Sequence, residues 1–371
     1  VKIGIIGGGQ LAQMMALAGH PLGLKTICLE STEDCPAGLV TDVMVGAYDD
    51  LEKLQALANA VDVITYEFEN ISTAALNHLK TFTIYPPIPA LAISQDRLQE
   101  KNFFDRLQIP TTHYIAVDSL DDLKNGIQKI GLPAVLKTRR LGYDGKGQQV
   151  LKTEADIIPA WENLKNQPLL LENKITFDRE ISCIAVRDKI GNIVFYDLVE
   201  NQHKNGILHL SQVTRGNNSA IQKSAQPYVS HIMTALNYVG VLTVEFFEKD
   251  GQLIANEIAP RVHNSGHWTI EGADTSQFEN HLRAVCGLPL GSTATRGHVA
   301  MLNLVSELPS LTSLLKIPHA HVHFYGKTPR QGRKLGHVTL CADDKNLFDV
   351  ELKTLLKNAY GLDPVVKSSM G

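Results

Sequence analysis

The chain has 371 residues, 44% hydrophobic and 20% charged, more than one core comfortably absorbs, so two or three domains are expected. A net charge of -4 gives no positive field for a polyanion, and no long Lys/Arg run supplies a local one, which argues against a nucleic-acid partner. The five cysteines lack Cys-x-x-Cys spacing, and no apolar run nears membrane-spanning length, so a soluble cytoplasmic protein with no membrane partner and no disulfide framework is the expectation.

Lys2 to Ile6 reads as a strand without the basic and apolar regions of a signal peptide. From there to about residue 90, strands and helices alternate as in an open parallel sheet. Gly7-Gly8-Gly9 turns the first strand into a helix with Leu11, Met14, Met15 and Ala18 on one face. A strand at Thr26 to Leu29, a helix carrying Leu51, Leu54, Leu57 and Ala58, and a strand at Val61 to Thr65 follow. Tyr85-Pro86-Pro87-Ile88-Pro89 is too proline-rich for either element and marks a boundary. A helix then runs from near Ser94 to before Ile109-Pro110. Strands are predicted at Ala134 to Lys137, Gln149 to Leu151, Leu169 to Glu172, Glu180 to Val186 and Ile193 to Leu198. A hairpin turns at Asp250-Gly251, a helix spans Gln277 to Cys286, and short strands follow from about 296. The order predicts a parallel α/β domain, a larger α+β domain and a small β-rich tail.

Several motifs carry possible chemistry. Gly7-x-Gly9-x-x-Ala12 after a strand, with Glu30 ending the next one, satisfies a dinucleotide fingerprint on paper. Its physical content is narrower: backbone amides and a helix N-terminus suit any phosphate, and a purely structural turn is also open. Lys137 closes an apolar strand and is followed by a loop with Gly142, Gly145 and Gly147 before the next strand. No Gly-Lys-Ser/Thr opens a helix there, so this is not a Walker loop; it is either a flap over phosphates or a solvated hairpin tip.

Glu245 and Glu257 are equally spaced about Gly251, which brings them opposite each other across the hairpin. Opposed carboxylates in apolar strands are unfavourable unless a divalent cation is shared between them, or unless they face solvent on an edge hairpin. Asn256 offers a neutral oxygen, although strand alternation turns it to the other face unless the register is irregular. Pro260-Arg261-Val262-His263-Asn264-Ser265-Gly266-His267 reads as a loop in which Arg261 and His263 bind an anion rather than a metal. His319, His321 and His323 share one strand face, where a metal is the less common outcome. Lys327, Arg330, Arg333 and Lys334 form a basic cluster suited to phosphate or carboxylate, or a solvated turn.

A strand-ending lysine, a glycine flap, Leu-Leu-Leu-Glu172 and a paired-glutamate hairpin, in that order, resemble the ATP-grasp superfamily. Gly7 to Leu11, Asp96-Arg97, Gly142 to Gln148, Asn256 to His267 and Gly332 to His337 resemble the N5-carboxyaminoimidazole ribonucleotide synthase family of purine biosynthesis, over essentially the whole chain. The resemblance implies a Rossmann-like pre-ATP-grasp domain (1–92), an ATP-grasp domain of two subdomains (93–295) and a small C-terminal domain (296–371), assembled as a homodimer.

The resemblance also implies roles. Arg97 and Lys137 contact ATP phosphates, and Gly142, Tyr143, Asp144, Gly145, Lys146, Gly147 and Gln148 form the flap. Glu172, Asn173, Lys174 and Ile175 present the adenine hinge, Glu180 holds the ribose, and His203, Asn256 and Glu257 complete the nucleotide site. Glu245 and Glu257 hold magnesium. Gly9, Gln10, Leu11, Tyr143, Asp144, Arg261, His263, Asn264, Ser265, Lys327, Arg333 and Lys334 surround bicarbonate and 5-aminoimidazole ribonucleotide, with Asp144 the candidate acceptor of the amine proton. Lys146 stands where some relatives use Arg, which loses a bidentate contact. The implied reaction activates bicarbonate with ATP as carboxyphosphate and transfers CO₂ to the amine, with transient handover of the product to a PurE mutase. Another ATP-grasp ligase, such as a formate-using glycinamide ribonucleotide transformylase, and a non-catalytic Mg-ATP-binding regulator are the alternatives.

Overall fold

The computed structural model describes residues 1–142, 145–213 and 219–361. Its first sheet contains β1 (Lys2–Ile6), β2 (Lys25–Glu30), β3 (Asp42–Val45) and β4 (Val63–Tyr66), all parallel, in the order β3-β2-β1-β4. Ile3, Ile5, Ile6, Leu29, Ile64 and Tyr66 are all buried, as expected of parallel strands covered on both faces. The Gln10–Gly19 helix packs Leu11, Met14 and Met15 inward, while Leu51–Ala60 packs Leu54 and Leu57 and is capped by Asp50. The strand order reverses at β1, so β1 and β4 release their C-terminal loops into the crevice where open α/β sheets bind ligands.

The proline-rich segment corrects one expectation. Ile88–Ser94 is a helix, with Pro87 at its N-cap and Pro89 in its first turn. Proline is tolerated there because the first helical N–H groups have no intrahelical partner. The next helix, Arg97–Arg106, is capped by Asp96, which accepts from the amides of Leu98 and Gln99.

A second, antiparallel sheet orders β5 (Tyr114–Val117), β6 (Ala134–Thr138), β7 (Gln148–Leu151) and β8 (Leu169–Asn173) as β5-β8-β6-β7. The helices Leu120–Ile130 and Ile157–Leu164 pack Leu123, Ile127, Ile157 and Ala160 against it.

The third sheet has nine strands: β9 (Arg179–Arg187), β10 (Ile193–Phe195), β11 (Val199–Lys204), β12 (Ile207–Val213), β13 (Gly240–Lys249), β14 (Gln252–Ala259), β15 (His298–Val305), β16 (Ala320–Phe324) and β17 (Lys334–Ala342). Its main path is β14-β13-β9-β11-β12-β15-β17-β16, with β10 added on β9. The β-rich tail is continuous with this sheet: β15 joins it through β12, and Lys345–Tyr360 covers it as a helix burying Phe348, Leu352 and Leu355. Among the described residues, no helix is long and apolar enough to cross a membrane.

Candidate active site

One cleft of about 680 Å³ is lined from all three sheets. At one end Lys137, closing β6, lies 3.1 Å from Glu172 at the end of β8. Buried Lys101 stands 3.5 Å from the other Glu172 oxygen, which also accepts from Thr112 Oγ1 at 2.7 Å. Burial alone would raise the Glu172 pKa, but the two ammonium groups and Thr112 hold it well below the usual carboxylate range. Glu172 therefore spends its carboxylate on orienting Lys137, while Asn173, Lys174 and Ile175 line the cleft beside Val135, Val150 and Phe247. The Phe247 ring stacks on Phe177 at 4.7 Å. An apolar slot with a strand edge at its rim suits a planar base. Glu180 and His203 meet at 2.5 Å on neighbouring strands, and this contact raises the imidazole pKa against the opposing effect of burial.

At the hairpin, Asp250 and Gly251 take φ of 51° and 74°, as a two-residue type I′ turn requires. From the turn the pairing runs from Lys249 with Gln252 to Phe246 with Ala255, a register that by itself would set Glu245 against Asn256. The register then shifts by one: Asn256 is the extra residue of a bulge, Glu245 pairs with Glu257 instead, and Asn256 lines the cleft with both glutamates. Burial first, and then Glu257, push Glu245 up to about 8. Arg97 reaches Glu257 at 3.6 Å and donates to the Gly142 carbonyl at 3.3 Å. Two carboxylates in register, Glu245 mostly buried and Glu257 open to the cleft, with a bulged amide beside them, fit a magnesium ion, which takes one or two carboxylates and completes its shell from phosphates and water.

At the far end, Arg261 Nε donates to Glu69 at 2.5 Å. His263 stands 3.6 Å from Glu245 by its Nε2. The Ser265 amide donates to His263 Nδ1 at 3.3 Å, which leaves the ring proton on Nε2. Burial, followed by Arg261 and Lys334, pushes this imidazole well below its ordinary value, so it is a neutral donor. Gln277 grips the His263 backbone, accepting from its N–H at 3.0 Å and donating to its carbonyl at 2.6 Å. Asn264 is held by Asn303 at 3.0 and 2.7 Å. Lys327 donates to Gln10, and Lys334 lines the same end.

The glycine turn is occupied from within. Gly9 N–H donates to Glu67, Ala12 N–H to the other Glu67 oxygen at 2.9 Å, and Gly8 N–H to Glu30 at 2.9 Å. The Gly8, Gly9 and Ala12 amides thus face carboxylates of the chain itself rather than a pyrophosphate, and the turn carries Gly9, Gln10 and Leu11 into the cleft lining.

Of the other predicted residues, Gly142, Gly145 and Gln148 line the cleft, whereas Lys146, Gly147, Ser265 and Arg333 do not. Ser265 is fully buried beneath His263, and Arg333 bonds the Thr328 carbonyl at 3.1 Å. Tyr143 and Asp144 lie outside the described residues. His319 and His323 each pair with their own carboxylate, Glu351 at 3.0 Å and Glu271 at 2.7 Å. Sequence reasoning missed Glu67, Glu69, Glu100, Lys101, Thr112 and Gln277, whose partners are distant in the chain.

An N5-carboxyaminoimidazole ribonucleotide synthase of Pseudomonas aeruginosa is 50% identical over 349 residues, covering 94% of this chain and 96% of that one. The chain belongs to the N5-carboxyaminoimidazole ribonucleotide synthase family. Its fold is that of solved family members. The Thermus thermophilus enzyme is 49% identical with a TM-score of 0.93, covering 97% of this chain and 99% of that one. An Aspergillus clavatus enzyme in complex with ADP and 5-aminoimidazole ribonucleotide is 29% identical with a TM-score of 0.89, covering 97% and 99%. The ribonucleotide synthetase preATP-grasp domain matches residues 1–95, the ATP-grasp domain 102–278 and the phosphoribosylaminoimidazole carboxylase C-terminal domain 299–349. As a member of the N5-carboxyaminoimidazole ribonucleotide synthase family the chain is an ATP-grasp ligase, which removes the dinucleotide reading of its first helix.

Proposed function

We propose that this chain carboxylates 5-aminoimidazole ribonucleotide to N5-carboxyaminoimidazole ribonucleotide, using ATP and bicarbonate. The observation that carries the proposal is the meeting of Glu245 with Glu257 in one cleft that also holds Lys137 and the Arg261–His263 anion pocket. A bicarbonate oxygen attacks the γ-phosphorus, the bond to the β-phosphate bridge breaks, and ADP leaves with carboxyphosphate as the second product. Lys137, oriented by Glu172, and Arg97 offset charge on the phosphates. Magnesium on Glu245 and Glu257, with Asn256 beside it, would add charge neutralisation at the same place. Carboxyphosphate splits to CO₂ and phosphate, and the substrate's exocyclic amine captures CO₂ and loses a proton. Arg261 and the Nε2–H of His263 donate to the carboxylate oxygens through these steps, with Lys334 and Lys327 at the same end of the cleft.

Cytoplasmic location, a homodimeric assembly and handover of the labile carbamate to a PurE-type mutase are proposed with this reading, and sedimentation of the pure chain tests the assembly. For the reaction itself, ¹⁸O-bicarbonate is supplied with ATP and 5-aminoimidazole ribonucleotide. One ¹⁸O is expected in the released phosphate, with ADP formation requiring both co-substrates. Unlabelled phosphate, or turnover with formate in place of bicarbonate, overturns the reading.

A further inference from the structure

The metal-side bulge is held from outside its sheet. Because β14 is an edge strand, one side of its backbone has no neighbouring strand, yet Ala255 and Ile258 on either side of the bulge are buried and their backbone polar groups need partners. The Arg97–Arg106 helix and the loop after it supply them. Ala255 N–H donates to the Pro110 carbonyl at 2.7 Å, and Thr111 Oγ1 donates to the Ala255 carbonyl at 2.7 Å. Lys101 Nζ donates to the Asn256 carbonyl at 3.0 Å, to Thr111 Oγ1 at 2.9 Å and to the Ala255 carbonyl at 3.4 Å. Past the bulge, Ile258 N–H donates to Glu100 at 2.6 Å. These ties bracket the residues where the register slips.

Lys101 is 1% exposed and does not line the cleft, so it reaches the nucleotide site only through other residues. The same ammonium sits 3.5 Å from Glu172, the carboxylate that orients Lys137. One buried cation thus joins the phosphate lysine on the second sheet to the bulge on the third.

We infer that Lys101, with Glu100 and Thr111, is a positioning residue that locks the Asn256 bulge and thereby sets the affinity of the Glu245–Glu257 pair for the divalent cation accompanying the nucleotide. The inference rests on the magnesium reading above. Without the clamp, β14 slides toward regular pairing, in which Asn256 takes the place of Glu257 opposite Glu245 and Glu257 turns to the other face.

The test uses Lys101→Met and Thr111→Val in the full chain. ADP binding is followed by calorimetry across a Mg²⁺ titration, and amide hydrogen exchange is followed over residues 253–259. For Lys101→Met the half-saturating Mg²⁺ concentration rises about tenfold or more, and exchange at 255–258 accelerates. Thr111→Val, which preserves every charge, shifts both in the same direction by less and decides the matter alone if Lys101→Met does not fold. Unchanged Mg²⁺ dependence and exchange overturn the clamp, as does an equal loss of ADP affinity with and without Mg²⁺. If the unsubstituted chain binds ADP with no Mg²⁺ dependence, the magnesium reading itself has failed.

Discussion

Arg261 and Glu69 are joined at 2.5 Å although 192 residues separate them in the chain. The anion end of the cleft is therefore assembled jointly by the loop after β4 and the loop after β14. Glu69 is fixed in turn by Gln95, which donates to its carbonyl at 2.6 Å. Glu69→Ala releases the guanidinium to reorient and is expected to lower kcat/KM for 5-aminoimidazole ribonucleotide and bicarbonate on the order of 100-fold, with ADP affinity unchanged. Steady-state kinetics beside calorimetry distinguish this from general destabilisation.

Glu172 predicts a pH dependence of stability. Its folded-state pKa lies below the ordinary 4.5, so its contribution is fully present above that value and is lost as pH falls through the depressed range. Removing one partner of such a buried group costs about 3–5 kcal/mol. Glu172→Gln should therefore lower the melting temperature most near neutral pH, and the gap to the unsubstituted protein should close as pH drops below about 4. A gap independent of pH would show that the loss is one of packing rather than charge.

Gly9 predicts a local lesion. A Cβ there would stand 2.6 Å from Glu67 Oε1, so Gly9→Ala must displace the carboxylate that caps the helix. The expected cost is about 1–3 kcal/mol, together with a raised KM for 5-aminoimidazole ribonucleotide, because Gln10 and its partner Lys327 move, and an unchanged KM for ATP. Adding Glu67→Asp, one methylene shorter, should recover part of the loss in a thermal melt.

What could be read from the sequence follows the range of the interactions. The approach of Glu245 to Glu257 was legible to within one residue because a two-residue turn fixes register locally, and the bulge supplies the last step; periodicity exposed the first sheet because it too is local. Asn256 was legible only as a condition, since nothing local announces a bulge held by a lysine 155 residues away. The glycine turn looked like an open anion site because Glu67, which fills it, lies 58 residues downstream. Glu100 and Lys101, in the run Gln99-Glu100-Lys101-Asn102, resemble a solvated helix face, and only the tertiary fold buries them to 2% and 1% exposure. The C-terminal helix was hidden among strand signals because apolar residues such as Leu347 and Val350 fall outside its buried stripe.

The most direct measurement is a crystal structure with a non-hydrolysable ATP analogue and Mg²⁺. The account predicts the triphosphate between Lys137 and the hairpin, with a metal ion in contact with the carboxylates of both Glu245 and Glu257 and the γ-phosphate facing Arg261 and His263. A nucleotide bound at the glycine turn of the first helix, or a metal ion touching neither glutamate, would contradict it.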